Sequence, residues 1–234
     1  MSLYSLLDAS AKTTDLVKWI SVAAVVVLLG VIALIAFLLR GEKKFDAKRL
    51  AFAGVSVGLS FVLSFIKVSP VLYGGSITLA SFVPVLVYAY VFGLADGLLV
   101  GLIHGLLNFI SSPYILTPMT FVLDYLLAFA SIGLMGLAPK FTKKTTFNVV
   151  LGTIAVFTLR FVFHLVSGAI YFAEGAVWVE FPSWALTSSF VYSFIYQCVY
   201  VPADCVIAAV VLYALAKTRV LDRLIKIMRP EKAQ

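Results

Sequence analysis

Polar residues in this chain are gathered into short clusters separated by long apolar runs. The run from Trp19 to Leu39 contains no Asp, Glu, Lys or Arg. About 20 such residues span the hydrocarbon core of a bilayer, so the run predicts a transmembrane helix. A secretory signal would have an apolar region of roughly 7–15 residues with positive charge before it. Here the run is longer, and the cluster Arg40, Lys43, Lys44, Lys48 and Arg49 follows it, so it reads as a retained helix. Six more apolar segments are predicted at 50–66, 77–93, 97–111, 116–137, 147–171 and 185–215. Their length and Leu/Ala content favour helices over buried strands. The last two exceed bilayer length and imply tilt or extension. Leu94-Ala95-Asp96 reads as a tight turn between the second and third segments. The expectation is an all-α integral membrane protein. A six-helix bundle at 50–215 follows an outer segment (1–18), an extra transmembrane helix (19–39) and a basic linker (40–49), and a basic tail (216–234) ends the chain.

Composition supports this reading. The chain of 234 residues is 62% hydrophobic and only 12% charged, about half the charge of a soluble domain. The net charge of +7 does not indicate nucleic acid, because the basic residues lie beside the apolar segments, as in cytoplasmic loops. With helix 19–39 running inward, the clusters at 40–49, 140–144 and 217–232 fall on the cytoplasmic side, and Glu174 and Glu180 fall outside. The N-terminus is then outside and the C-terminus cytoplasmic. Cys198 and Cys205 are seven residues apart on one predicted helix, a rise of roughly 10 Å. That is too far for a disulfide, so both read as packing residues. Phosphate-binding loops, zincin motifs and nucleophile elbows are absent, so neither a metal nor a cofactor is expected, nor enzymatic activity.

Candidate chemistry lies inside the helices. Ionisable groups at membrane depth are costly and ordinarily face a bundle interior or a watery cavity. Asp124 and Tyr125 lie in one predicted helix and Arg160 and His164 in the next. His104 and Asn108 are i, i+4 neighbours on a third, and Tyr192 and Gln197 lie on the last. At about 1.5 Å per residue, these groups share the outer half of the bilayer, which predicts an outward-facing pocket. Arg160 and Asp204 are expected to neutralise each other, leaving Asp124 for a ligand. A buried carboxylate suits a cationic or amino-bearing partner, and Tyr125, Tyr171, Tyr192 and Phe172 offer aromatic faces to it. Trp178 and Trp184 read as interfacial belt residues or a lid, and Tyr73, beside Gly74-Gly75, as the better lid candidate. Gly54-Val-Ser-Val-Gly58 is a small-xxx-small pattern, for packing within the chain or docking onto a membrane partner.

Several stretches carry a resemblance that covers the six core helices: LSFVLSFIKV at 59–68, SITLASFVPVLVYAYVFGLADGLLVGLIHGLLNFI at 76–110, YILTPMTFVLDYLLAFASIGLMGLAP at 114–139, RFVFHLVSGAIYF at 160–172 and VYSFIYQ at 191–197. In their order and spacing the chain resembles the thiamine-specific substrate-binding (S) components of energy-coupling factor (ECF) transporters, the ThiT or YuaJ family. The resemblance implies an outward pocket for thiamine or a related small heteroaromatic ligand. It also implies a transmembrane energy-coupling partner, docked at Gly54 and Gly58, and two ATPase subunits that drive uptake across a bacterial cell membrane. The ligand residues it implies are Asp124, Tyr125, His164, Tyr192, Gln197, His104, Asn108, Tyr171, Phe172 and Tyr73. Asp124 stands where the family has Glu, Gln197 where it has Asn, and His104 and Phe172 where it has Trp. The alternatives are an S component for another vitamin or precursor, or a membrane enzyme acting on lipid-like substrates with Asp124 and His164 as acid and base.

Overall fold

The computed structural model describes residues 26, 30, 37, 47–70, 76–114, 117–173, 186 and 188–229. The expected helix at 19–39 lies almost wholly outside the described residues, as do Tyr73, Trp178 and Trp184. The core elements are α1 (Ala47–Ser64), the strands β1 (Lys67–Pro70) and β2 (Ser76–Thr78), then α2 (Val83–Phe92), α3 (Leu94–Ser111), α4 (Pro118–Lys140), α5 (Thr145–Ala173) and α6 (Ser189–Lys217). A short helix, α7 (Val220–Met228), ends the described chain. Five of these helices, all but α2 and α7, are long and apolar enough to cross a membrane.

The structure alters the sequence expectation at the second core segment. Residues 76–78 form a strand of an antiparallel hairpin with β1, and the helix begins only at Val83, with Pro84 in its first turn. Proline suits that position because the first-turn N–H groups have no intrahelical acceptor. The N–H of Val85, an orphan of the same turn, donates to Ser60 Oγ at 3.3 Å. With only ten residues, α2 is buried almost all round, from Val83 to Val91 apart from Pro84. Apolar side chains on every face are what a central helix requires.

Close approach of α3 to α4 sets the shape of the bundle. Gly97, Gly101 and Gly105 recur at i, i+4 and i+8 along α3. A Cβ at Gly101 would lie 2.3 Å from the Phe129 carbonyl oxygen, and one at Gly105 only 1.9 Å from that of Tyr125. This is the small-residue seam that packs within the chain. Gly54 and Gly58 do the opposite. Both are exposed on α1, and a Cβ at either would meet nothing within 4 Å among the described residues. Val55, Leu59 and Val62 are exposed on the same helix, an apolar surface suited to lipid or a membrane partner.

At one end of the bundle, the buried Asp96 accepts from Arg49 through both carboxylate oxygens, with Nε to Oδ1 at 2.7 Å. Tyr88 Oη donates to the same Oδ1 at 3.1 Å. Arg49 thus belongs to the fold as well as to the basic linker, and Asp96 lies in the first turn of α3, where the helix dipole favours a carboxylate. The turn expected at 94–96 is a break at Gly93, whose φ of 100° is accessible to glycine without strain.

Candidate ligand-binding site

At the opposite end of α3 from Asp96, the helices α3 to α6 surround a cavity of about 300 Å³. Its wall on α4 is a π-helical turn, Val122–Leu127, closed by Ala128 N–H donating to Leu123 O, an i→i−5 bond. Such turns insert an extra residue into a helix and re-aim the side chains beside it. Here the turn carries Asp124 and Tyr125, both of which line the cavity. Gly105 admits α3 against the Tyr125 carbonyl, and this contact fixes the depth of the turn.

Asp124 has two partners. Its Oδ1 lies 2.7 Å from His164 Nδ1, and its Oδ2 accepts from Ser167 Oγ at 2.6 Å. The carboxylate is therefore not left free for a ligand as expected; it orients the imidazole. An acceptor at Nδ1 places a proton there and directs Nε2 elsewhere. Among the described residues, His164 Nε2 is buried with no hydrogen-bond partner. Gln197 repeats the pattern: its Nε2 donates to His164 O at 3.1 Å, and its Oε1 is buried and unpartnered.

Arg160 departs most from the sequence reading. It does not pair with Asp204. Asp204 Oδ1 instead accepts from Thr78 N–H at 2.9 Å and Thr78 Oγ1 at 3.4 Å, tying the β-hairpin to α6. The Arg160 guanidinium lies 4.6 Å from the Phe82 ring centroid and 4.3 Å from that of Phe129. Cation–π attraction to two rings offsets part of the cost of burying it. Its Nη1 has no hydrogen-bond partner among the described residues, and the residue lines the cavity. The sequence reading paired Arg160 with Asp204, but a sequence does not show which way each side chain turns.

The remaining candidates separate into two groups. Asn108, Tyr125, Tyr171 and Gln197 line the cavity with Asp124 and His164. Tyr125 Oη donates to Ser112 O at 2.9 Å and accepts from Tyr114 N–H at 3.1 Å, while Tyr171 Oη donates to Tyr114 O at 3.1 Å. These tyrosines therefore hold the rim at 112–114. His104, Tyr192 and Phe172 do not line the cavity. His104 is buried, edge-on to Phe82 and Phe129, with ring centroids 5.9 and 5.2 Å away. Phe172 stacks on Tyr192 at 4.7 Å. These three sit outside the lining, and the His104 ring nitrogens lie 3.4 Å from Asn108 Nδ2.

The structure adds residues that the sequence reading did not select: Gly168, Tyr196, Tyr200 and Lys67 in the lining, and Ser167 behind it through its bond to Asp124. Ser167 follows His164 by three positions, and Gly168 by four, so both share its helix face. A Cβ at Gly168 would press to 2.4 Å from Ser193 Oγ and 3.1 Å from Gln197 Nε2, so glycine keeps that wall open. Tyr196 and Tyr200 are i, i+4 neighbours beside Gln197 and line the cavity with it. The i+3 and i+4 spacing was the available signal. Lys67, from β1, also reaches the cavity.

Fold and cavity together define a multi-pass membrane protein whose helices enclose a polar, vitamin-sized space. The profile of the thiamine transporter protein family (Thia_YuaJ) matches residues 50–223. The chain is 31% identical over 155 residues to the thiamine transporter ThiT of Bacillus subtilis (strain 168), covering 62% of this chain and 77% of that protein. Its structure is similar to that of ThiT from Listeria monocytogenes, with a TM-score of 0.62 and 24% identity over 76% of this chain and 96% of the other. A more distant likeness, TM-score 0.49 and 22% identity, is to the S component of a bacterial ECF transporter, over 76% of this chain and 97% of that one. The chain belongs to the thiamine transporter protein family.

Proposed function

We propose that this protein is the S component of an ECF-type ABC transporter and captures thiamine in its cavity for ATP-driven uptake. One observation carries the placement of the ligand. Three buried polar atoms without partners among the described residues, Arg160 Nη1, His164 Nε2 and Gln197 Oε1, belong to residues that line the same cavity. Leaving a buried polar group unpaired costs about 1–3 kcal/mol. A ligand that pairs with all three recovers that cost. The aminopyrimidine of thiamine offers both an N–H donor, suited to Gln197 Oε1, and ring-nitrogen acceptors, suited to Arg160. Asp124 offsets the positive thiazolium from one side, and Tyr125, Tyr171, Tyr196 and Tyr200 supply faces for a flat cation. A volume of about 300 Å³ lies at the small end of small-molecule pockets.

The family relationship and the exposed Gly54/Gly58 face support assembly with a transmembrane energy-coupling partner and two ATPase subunits. The charge bias supports a bacterial membrane orientation with the cavity and N-terminus outside and the C-terminus in the cytoplasm. Calorimetric titration of the purified protein with thiamine tests the ligand. Saturable binding at micromolar thiamine or below is expected. Binding of a different small heteroaromatic vitamin, with none to thiamine, would move the assignment to that compound.

A further inference from the structure

We propose that α7 and the cleft beside it form a binding site for anionic phospholipid headgroups, with α7 lying in the membrane interface. This holds whichever ligand the cavity takes. The chain leaves α6 at Lys217, turns through Arg219 in a left-handed conformation (φ 59°), and enters α7 at Val220. So α7 begins where a bilayer-spanning helix ends. It packs near α1, α2 and α6, at the end of the bundle away from the ligand cavity.

Three sectors of α7 differ in character. Leu221 and Met228, two helical turns apart, are buried against the bundle. Val220 and Ile227 have the same spacing but lie on an adjoining strip, exposed at 37% and 57%. Arg219, Arg223 and Lys226, at i, i+4 and i+7, are exposed on the opposite arc. Asp222 is the acidic residue of this helix, placed i, i+4 to Lys226. An exposed apolar strip beside a basic strip is the pattern of a helix that sinks one edge into the acyl boundary and keeps its cations among the headgroups. Water would leave the apolar strip unsatisfied; a soluble acidic protein would leave it uncovered.

A cleft of about 750 Å³ continues this surface. It is bounded by Gly93 and Leu94 at the α2–α3 junction, by Pro139 and Lys140 at the end of α4, by Ile225 of α7 and by Arg229 just after it. Asp96 also lines it, but its carboxylate is taken up by Arg49. Lys140 and Arg229 therefore present the available positive charge, and a phosphodiester matches it.

Native mass spectrometry of the full-length protein, purified from mixed phosphatidylglycerol and phosphatidylcholine, reads the site directly. The native protein should retain phosphatidylglycerol in preference, and high salt should erode that preference. The triple variant Arg223→Gln, Lys226→Gln, Arg229→Gln should lose roughly fivefold in preference per charge removed, with its thermal unfolding unchanged. Ile227→Ser should weaken retention of both lipids while keeping their ratio. If the triple variant folds poorly, the single variant Arg223→Gln and the salt series carry the same test. Equal retention of the two lipids by the native protein, or an unchanged preference in the variants, overturns the proposal. So does a variant that fails to assemble with its energising partners while keeping its lipid preference, which would make α7 a protein contact.

Discussion

Two carboxylates 28 residues apart in sequence, Asp96 buried and Asp124 half-buried, show how one bundle uses the same chemistry for opposite ends. Asp96 accepts from Arg49 through both oxygens and from Tyr88 Oη. No side-chain atom of that trio is left buried and unpartnered among the described residues. Asp124 also has two donors, His164 and Ser167, but the groups around it are unfinished: His164 Nε2, Gln197 Oε1 and Arg160 Nη1 lack partners. A closed network contributes to the fold. An open one holds donors and acceptors ready for something that is not part of the chain, and the fold carries the cost of keeping them dry.

The contrast makes Asp96→Ala the variant with the largest expected effect on stability. Removing one partner of a buried pair costs about 3–5 kcal/mol because the other charge is left behind. Arg49 retains 13% side-chain exposure, which favours the lower figure. Thermal unfolding in detergent measures it, and surviving protein should bind ligand normally. Asp124→Asn should do the reverse. It weakens the grip on a cationic ligand by about 2 kcal/mol, roughly thirtyfold, seen by calorimetry, with a smaller loss of apo stability. Equal destabilisation by the two variants would erase the distinction between the ends. Gln197→Leu should have the smallest effect: about tenfold weaker binding, with apo stability within about 1 kcal/mol of the native protein, since it removes an acceptor that already lacks a partner. A large loss of apo stability would mean that Gln197 supports the fold chiefly through its bond to the His164 carbonyl.

The glycines show what could and could not be read in advance. Gly54/Gly58 and Gly97/Gly101/Gly105 have the same four-residue period. Period alone does not say which set meets a neighbouring helix inside the chain. In the structure the α3 set lies against the backbone of α4, while the α1 set opens outward. Helical spacing did bring Asp124, His164, Asn108 and Gln197 to one cavity, because i, i+3 and i+4 relations and depth are properties of a helix by itself. It failed for Arg160, whose side chain turns toward Phe82 and Phe129 instead of Asp204. His104 and Tyr192 are buried and lie outside the cavity lining.

The sequence by itself determined the membrane class and the approximate positions of the core helices other than the second. Those follow from hydropathy and a rise of about 1.5 Å per residue. Only the tertiary structure decided rotation about each helix axis, the π-helical turn that re-aims Asp124 and Tyr125, and the hairpin that claims Asp204. The reason is that lipid is as apolar as the helices' own side chains. Burial against a neighbour and exposure to the bilayer therefore leave the same mark on the sequence, and close packing and hydrogen bonding make the choice.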